Sequence, residues 1–291
     1  MAFKTEQNKL KISRNIIFTD PFEEEYLVSA VMRNNELCRK TDSEFRNREV
    51  CSFEINKLDY NPSSAFGGLF DKQNLYSYTL HPIGILFDRV RYQNMTLVPR
   101  EHLRICTQCV VEDFENLGTA FIHRTHVAPR KIGALVCHLH AVPLSDFCPT
   151  CRVEIKHHKL NQLSACINRK SKIKAHSSMG STTHQYSKFI YEILKKANLK
   201  KYTRYSALTI GKSLENLGYS SSSFDSYFQY CIDADNKTGT PIEVYQTARE
   251  TNRNPTRTPV HLFTRVAFLL YGSLENFIHE IEEFHYLSTR I

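Results

Sequence analysis

The sequence predicts a mainly α-helical protein that is interrupted near its middle by a small cysteine-rich module. Segments on both sides of residues 100–166 place apolar residues at helical spacing, whereas residues 100–166 have many turn residues and few periodic stretches. Six of the nine cysteines of the chain lie in this same interval. The chain has 291 residues and is 41% hydrophobic, which is enough for about two domains with packed cores.

We divide the chain into three regions. The prediction is an N-terminal helical part over residues 1–99, the cysteine-rich module over residues 100–175, and a C-terminal helical domain over residues 176–291. The first helix is predicted over residues 21–33, because Asp20 can cap it and acidic residues favour its first turn.

The C-terminal domain is predicted to contain several helices after a polar linker. Residues 175–187 are rich in serine and threonine, which predicts a flexible linker. Gly272 interrupts the last helical pattern, and Ser273 can cap a new helix. The predicted helices cover residues 187–199, 204–217, 223–234, 241–250 and 260–284.

Four residues of the cysteine-rich module have the types and the spacing of a zinc site. The pattern is C-x2-C, then 27 residues, then C-x2-H. A C-x2-C turn places two sulfur atoms on one side of a metal, and a second short-spaced pair completes the tetrahedron that zinc requires. Because four protein ligands fill this tetrahedron, we expect a structural site rather than a catalytic one. The four ligands are Cys106, Cys109, Cys137 and His140.

A second cysteine cluster follows directly. Cys148 and Cys151 form another C-x2-C pair, and 14 residues separate Cys151 from Cys166. A final C-x-C pair would place the fourth ligand at position 168, which is Asn168. Two interpretations stay open: a second zinc ion with a histidine as its fourth ligand, or a degenerate finger that folds by packing alone. The candidate histidines are His157, His158 and His176.

Composition limits the location and the partners of the protein. The formal net charge of +8 and the pI of about 8.9 are compatible with a polyanionic partner. The first 15 residues do not contain the apolar segment of a signal peptide. The sequence also contains no run of 18 apolar residues, so we expect a cytoplasmic protein without a membrane partner. Clustered cysteines in a reducing compartment indicate metal binding rather than disulfides. The isolated Cys38, Cys51 and Cys231 are predicted to be core residues.

A nucleic-acid interface is predicted from basic residues on both sides of the linker. Such residues contact phosphates and position a protein without specifying sequence. They are Arg169, Lys170, Lys172, Lys174, Lys195, Lys196, Lys200 and Lys201.

Residues 205–234 allow a helix-turn-helix, with an ordinary helical hairpin as the alternative. Gly218 would end the first helix of this unit. The predicted apolar face of that helix consists of Leu208, Ile210, Leu214 and Leu217.

The sequence indicates no catalytic residues. The string IGKS at 210–213 lacks the first glycine of a P-loop, so Lys212 is expected to be a solvated helix residue. A zinc deaminase would need H-x-E ahead of its P-C-x-x-C pair, and none precedes CPTC at 148–151. His123 and His126 could be proton carriers or extra ligands, and the alternative is that they pack and form hydrogen bonds beside the zinc module.

Residues 104–151 carry a resemblance to a known family. Their cysteine and histidine pairs, an acidic stretch at Glu112, a His-Arg-x-His segment and a Pro-Leu pair occur in the order found in the zinc-finger core of the TniQ family, which includes the longer TnsD proteins. Residues 76–87 and 259–281 also resemble segments of the family. The sequence departs from the family pattern at Ile122, where an aromatic residue is usual, and at Asn168, where a cysteine is usual.

The resemblance implies a function in transposition. Members of the TniQ family select the insertion site for cut-and-paste or CRISPR-associated transposons, either by binding an attachment site or by joining a Cascade-like effector complex with its guide RNA. They then recruit an AAA+ ATPase regulator, and members acting on guide complexes can pair as homodimers. We therefore expect a non-enzymatic, zinc-binding and DNA-binding adaptor. A TnsD-like attachment-site reader and an autonomous zinc-finger transcription regulator are the alternatives.

Overall fold

The computed structural model describes residues 19–41, 75–87, 103–127, 134–168, 178–219, 229–231, 233–234 and 260–288. We number the α-helices of four or more residues in these ranges in chain order. They are α1 Leu27–Thr41, α2 His81–Leu86, α3 Thr107–Leu117, α4 Leu160–Asn168, α5 Thr182–Lys195, α6 Thr203–Asn216, α7 Val260–Tyr271 and α8 Leu274–Ser288. Short 3-10 turns lie at Leu75–Tyr78, Arg124–Val127, Ile155–His157 and Leu199–Tyr202.

The mainly helical fold class is confirmed for this part of the chain. Within the described ranges, β-pairing is confined to four isolated antiparallel bridges, and no sheet forms. In the same ranges, no helix combines the length and the apolar character that a bilayer crossing requires.

The first helix begins at Leu27, so the predicted start at residue 21 is wrong. Residues 21–25 instead form a turn in which Glu24 adopts a left-handed φ of 68°. The turn is fixed by distant backbone. The N–H of Tyr26 donates to the carbonyl of Ile122 at 2.8 Å, and the N–H of Arg124 donates to that of Glu24 at 2.8 Å. Tertiary pairing therefore overrides the local helix signal.

A buried ion pair stabilises this turn against α1. Glu25 accepts hydrogen bonds from the Arg33 guanidinium, with an Oε2–Nη2 distance of 2.8 Å, and from the hydroxyl of Ser29 at 3.0 Å. The N–H of Phe22 also donates to Glu25 Oε2, at 3.0 Å. A buried carboxylate needs such partners, because an unpaired charge in the interior is strongly destabilising.

One hydrophobic cluster extends from Tyr26 to Ile281 and includes residues from all three predicted regions. At its centre Phe87, which follows α2, stacks on Phe263 of α7 and Phe277 of α8, with centroid distances of 5.8 and 6.0 Å. The predicted division at residues 99 and 175 stays a prediction.

The predicted linker over residues 175–187 is wrong in its second half. Helix α5 begins at Thr182, and the Ser181 hydroxyl caps it by accepting a hydrogen bond from the N–H of His184 at 3.2 Å. His184 and Tyr186 are buried. The serine-rich composition therefore reflects a helix cap in the described part of this segment.

Helix α6 ends where the sequence predicts, but its buried face differs from the predicted apolar face. Helix α6 stops at Asn216, and Gly218 takes the left-handed φ of 86° expected of a helix terminator. Ile210 and Leu214 are buried, whereas Leu208 and Leu217 are more than half exposed, so the predicted apolar face is wrong at those two positions. Most of the second helix of the predicted helix-turn-helix, like the helix at 241–250, lies outside the described residues.

Two more expectations are confirmed. Gly272 has a φ of 73° and separates α7 from α8, where the Ser273 hydroxyl accepts from the N–H of Asn276 at 3.2 Å. Cys231 is buried, as predicted for a core residue. The side chain of Cys38 lies outside the described part of the structure, and so does the whole of Cys51.

Candidate metal centres

The first candidate metal centre joins the start of α3 to a tight turn 28 residues away. Cys106 caps α3, and Cys109 follows in its first turn. Cys137 and His140 lie in a turn that we call the first knuckle, residues 137–142. It closes because the N–H of Ala141 donates to the carbonyl of Cys137, and the N–H of Cys137 donates to that of Val142, both at 2.8 Å.

The four donor atoms of this cluster all lie within 4.8 Å of one another. His140 Nδ1 lies 3.5 Å from Cys106 Sγ, 3.3 Å from Cys109 Sγ and 3.6 Å from Cys137 Sγ. The Sγ atoms of Cys109 and Cys137 are 3.6 Å apart. Zinc bound at about 2.3 Å to sulfur and about 2.0 Å to nitrogen requires tetrahedral edges of about 3.5 to 3.8 Å. The donor set and its size therefore fit a zinc ion.

The other ring nitrogen of His140 is also placed as in a zinc site. His140 Nε2 lies 2.8 Å from Glu112 Oε1 on α3. A ligating histidine typically donates its second N–H to a carboxylate, which fixes the tautomer and orients the ring. Glu112 therefore supports the assignment of Nδ1 as the metal-facing atom.

The second candidate centre is built on a second knuckle with the same backbone pattern. In residues 148–153 the N–H of Arg152 donates to the carbonyl of Cys148 at 2.9 Å, and the N–H of Cys148 donates to that of Val153 at 2.8 Å. Arg152 has a left-handed φ of 65°, as Ala141 does at 56° in the first knuckle. The two short-spaced pairs are thus structurally equivalent, and the second supplies Cys148 and Cys151.

His158 completes the second cluster. The donor atoms of Cys148, Cys151, His158 and Cys166 all lie within 4.8 Å of one another, and Cys148 Sγ is 3.6 Å from Cys166 Sγ. His158 Nδ1 lies 2.8 Å from the carbonyl of Lys159, so it donates there and leaves Nε2 for a metal. This cluster also fits zinc.

The other candidates for the fourth ligand fit less well. The side chain of His157 is 69% exposed and lies beside Glu154. Asn168 is the last residue of α4, two positions after Cys166, and residues two apart in a helix point to different sides. His176 lies outside the described residues.

Three histidines pack beside the first cluster. His123 Nε2 lies 3.0 Å from Asp113 Oδ2, and His138 Nδ1 lies 3.0 Å from the hydroxyl of Thr125. His126 is fully buried, and its Nε2 is 4.0 Å from Cys109 Sγ. The donor atoms of His126, Cys137 and His138 also lie within 4.8 Å of one another, but Cys137 already belongs to the first cluster.

Burial and charge separate the pKa values in this region. Burial lowers the pKa of His138 to about 3. Burial also opposes the charged form of His123, but Asp113 and Glu24 raise its pKa to about 9. Burial tends to raise the pKa of Glu24, whereas the nearby side chains of His123, Tyr191 and His138 lower it to about 2. His123 thus lies between the carboxylates of Asp113 and Glu24 and joins the turn before α1 to α3.

Helix α5 is held at both ends by the residues around the first cluster. At its start, His184 Nε2 donates to the carbonyl of His138 at 2.9 Å. At its end, the guanidinium of buried Arg124 donates to the carbonyl of Leu194 at 3.3 Å and also to that of Ser77. Between them, Tyr191 stacks on the His138 ring with a centroid distance of 4.2 Å.

The predicted basic residues that the structure describes surround the turn between α5 and α6. We call Lys195, Lys196, Lys200 and Lys201 the lysine turn; all four are exposed. Lys195 and Lys201 lie 3.9 and 3.6 Å from the exposed carboxylates of Glu23 and Glu282, and such surface pairs contribute little. Arg169, Lys170, Lys172 and Lys174 lie outside the described ranges.

The P-loop alternative is not supported by the geometry. Lys212 is 59% exposed on α6 and lies 3.8 Å from Glu215 of the same helix.

The fold and the two clusters define a mainly helical protein with two groups of Cys and His that are compatible with metal binding. Comparisons with protein-family models, with curated proteins and with solved structures find no match to this chain. The resemblance to the TniQ family therefore rests on the motif residues alone.

Proposed function

We propose that this protein is a non-enzymatic adaptor of the TniQ type that selects target sites for transposition. It would connect a guide-RNA effector complex and target DNA to an AAA+ ATPase regulator. The observation that carries the proposal is the tandem arrangement of two Cys3His clusters whose donor atoms converge in space. The C-x2-C, C-x2-H and C-x2-C pairs occur in the family's order, whereas His158 stands outside the family pattern.

The make-up of the clusters supports a structural function for the metal. Each cluster offers three thiols and one imidazole, which together fill a tetrahedral zinc shell. A catalytic zinc keeps one position for water or substrate. Binding of zinc at such a closed site contributes on the order of 10 kcal/mol to folding.

The lysine turn supplies a surface for phosphates. Its four exposed cations follow helix α5, which the first cluster region anchors at both ends. Contacts of this kind fix the position of a protein on nucleic acid without reading bases. The surface suits an adaptor whose specificity comes from a guide complex better than it suits an independent sequence reader.

The decisive experiment is a pull-down with an AAA+ ATPase regulator of transposition, with and without nucleotide and DNA. We expect association in at least one of these conditions. No association under any of them contradicts the proposal, and specific binding to one duplex without an ATPase partner favours an autonomous regulator.

A mobility-shift titration against salt separates the two targeting modes. A guide-dependent adaptor binds unrelated duplexes alike and weakens steeply as salt rises, because phosphate contacts release counterions. A TnsD-like reader prefers one duplex at physiological salt.

The lysine turn can be tested in the same titration. Changing all four lysines to glutamine should reduce the slope of log affinity against log salt by about one for each phosphate that the lysines neutralise. Lys212→Gln is the control, since this lysine is 59% exposed but lies on α6, outside the lysine turn. An unchanged slope in the quadruple variant contradicts this assignment.

A further inference from the structure

The two clusters differ in their access to solvent. In the first, Cys106, Cys109 and Cys137 are all buried, with exposed fractions of at most 2%. In the second, Cys151 is exposed and Cys166 is partly exposed, whereas Cys148 and His158 are buried. The same ligand chemistry is therefore shielded in one cluster and open in the other.

A cavity of about 600 Å³ leads to the second cluster. Cys151, His158 and Cys166 line it, together with Val153, Lys159 and Gln162. A cavity of this size admits water, peroxide and small chelators. The open thiols are thus reachable by reagents that cannot reach the buried thiols of the first cluster without local unfolding.

One pair of equivalent residues in the two knuckles accounts for the difference in solvent access between the clusters. Val142 ends the first knuckle, is 1% exposed, and packs with Leu144 on the thiols of the first cluster. Val153 occupies the equivalent position in the second knuckle but is 41% exposed and lines the cavity. In the part of the chain that the structure describes, Val142 thus covers the first cluster, whereas Val153 leaves the second cluster open to the cavity.

We propose that the second cluster is an exchangeable, oxidation-sensitive zinc site, with Cys151 as the residue that hydroperoxides attack, and that the first cluster retains its zinc under the same conditions. The inference requires zinc at both clusters and is independent of the targeting function.

The reaction uses hydrogen peroxide as the oxidant. The Cys151 thiolate attacks one peroxide oxygen, the O–O bond breaks, and hydroxide leaves, which yields a sulfenic acid. The Cys166 thiol then attacks that sulfur, a disulfide forms, and water leaves. The cysteines lose two electrons, the peroxide gains them, and zinc is released because two of its four ligands are consumed.

The experiment measures zinc release from the purified full-length protein with a colorimetric zinc indicator. Of two bound zinc ions, we expect peroxide to release one at least about tenfold faster than the other, in keeping with the dependence of thiol reactivity on exposure. A dimedone label and peptide mass spectrometry should locate the sulfenic acid at Cys151. Equal release rates, or first labelling at Cys106, Cys109 or Cys137, would overturn the proposal.

A second test uses a variant that keeps all eight ligands, so that its result does not depend on a ligand substitution that could prevent folding. Val153→Phe fills part of the cavity and should slow the fast phase several-fold while both zinc ions stay bound. Leu139→Phe is the matched control, because Leu139 is exposed at the first knuckle and does not line the cavity. A fast phase unchanged by Val153→Phe contradicts access through the cavity.

Discussion

At the scale of single residues, Glu112 extends the first cluster beyond its four donor atoms. Its carboxylate lies 2.8 Å from the outer nitrogen of His140, and its own side chain is 54% exposed. Zinc sites depend on such outer contacts because they fix the ligand ring and raise its basicity. Glu112 was visible in the sequence only as part of an acidic stretch, so its contact with His140 is a finding of the tertiary structure.

Glu112→Gln should weaken zinc binding at the first cluster by about 10- to 100-fold, because the amide is a weaker acceptor for the His140 N–H. Competition with a chromophoric chelator measures this affinity. Glu115→Gln is the control, since Glu115 is exposed on the same helix. Equal affinities in the two variants would show that the Glu112 contact is incidental.

His158 decides between the two interpretations of the second cluster. His158→Ala removes a donor atom, so we expect the zinc content to fall from two ions to one after dialysis against a weak chelator. His157→Ala should retain both, because His157 points to solvent. Metal analysis by plasma mass spectrometry gives the stoichiometry, and two retained ions in His158→Ala would rule out this ligand.

At the scale of elements, the ends of α3 explain how a short helix holds two ligands in place. Cys106 begins it, and Gly118 ends it with a left-handed φ of 72° and an N–H that donates to the carbonyl of Phe114 at 2.9 Å. Glycine accepts this conformation without the steric penalty that a Cβ atom brings. The helix is thus limited to three turns, with Cys109 and Glu112 on its first two.

Gly118→Ala should destabilise the protein by about 1 kcal/mol, because alanine is strained in the left-handed region. The space around a Cβ atom at this position is open, so the effect would come from the backbone alone. Chemical denaturation at saturating zinc measures the change. Asn116→Ala, in the last turn of the same helix, is the control and should change the free energy of unfolding by less than about 0.5 kcal/mol.

At the scale of the whole molecule, the cysteine-rich region acts as a bridge between the N-terminal and C-terminal helices. His123 faces Asp113 of α3 on one side and Glu24 of the first turn on the other, at 3.0 and 3.8 Å. Arg124, the next residue, donates to the end of α5. The residues beside the first cluster therefore link the turn before α1 and the end of α5 to the cysteine-rich region.

The pH dependence of stability should reveal the His123 bridge. Its pKa rises from 6.5 to about 9 on folding, so its stabilising contribution is complete below pH 6.5 and is lost as the pH rises through about 9. The difference in Tm between the wild type and His123→Gln, both saturated with zinc, should shrink over this interval. His279→Gln, at an exposed position on α8, is the control for loss of a surface imidazole. A constant difference for His123→Gln would contradict the charged state of this histidine.

The sequence predicted the features that depend on residues close together in the chain, namely the tight turns of the clusters and the ends of helices. The C-x2-H pair at 137–140 and the C-x2-C pair at 148–151 each form a tight turn as expected, because each knuckle is closed by backbone hydrogen bonds within six residues. The ends of α6 and α7 were predictable for the same reason, since Gly218 and Gly272 terminate helices through their own conformation.

Contacts between distant residues decided the rest. Residues 21–25 have a helix signal, but Ile122 and Arg124 pair with their backbone and delay α1 to Leu27. The choice of His158 as fourth donor depends on how α4 packs beside the second knuckle, which no sequence spacing fixes. The sequence by itself thus determined the helical class and most of the donor set, because these follow from short-range geometry. Only the tertiary structure decided which donors face one another and which thiols stay open to solvent, because burial is a property of the assembled core.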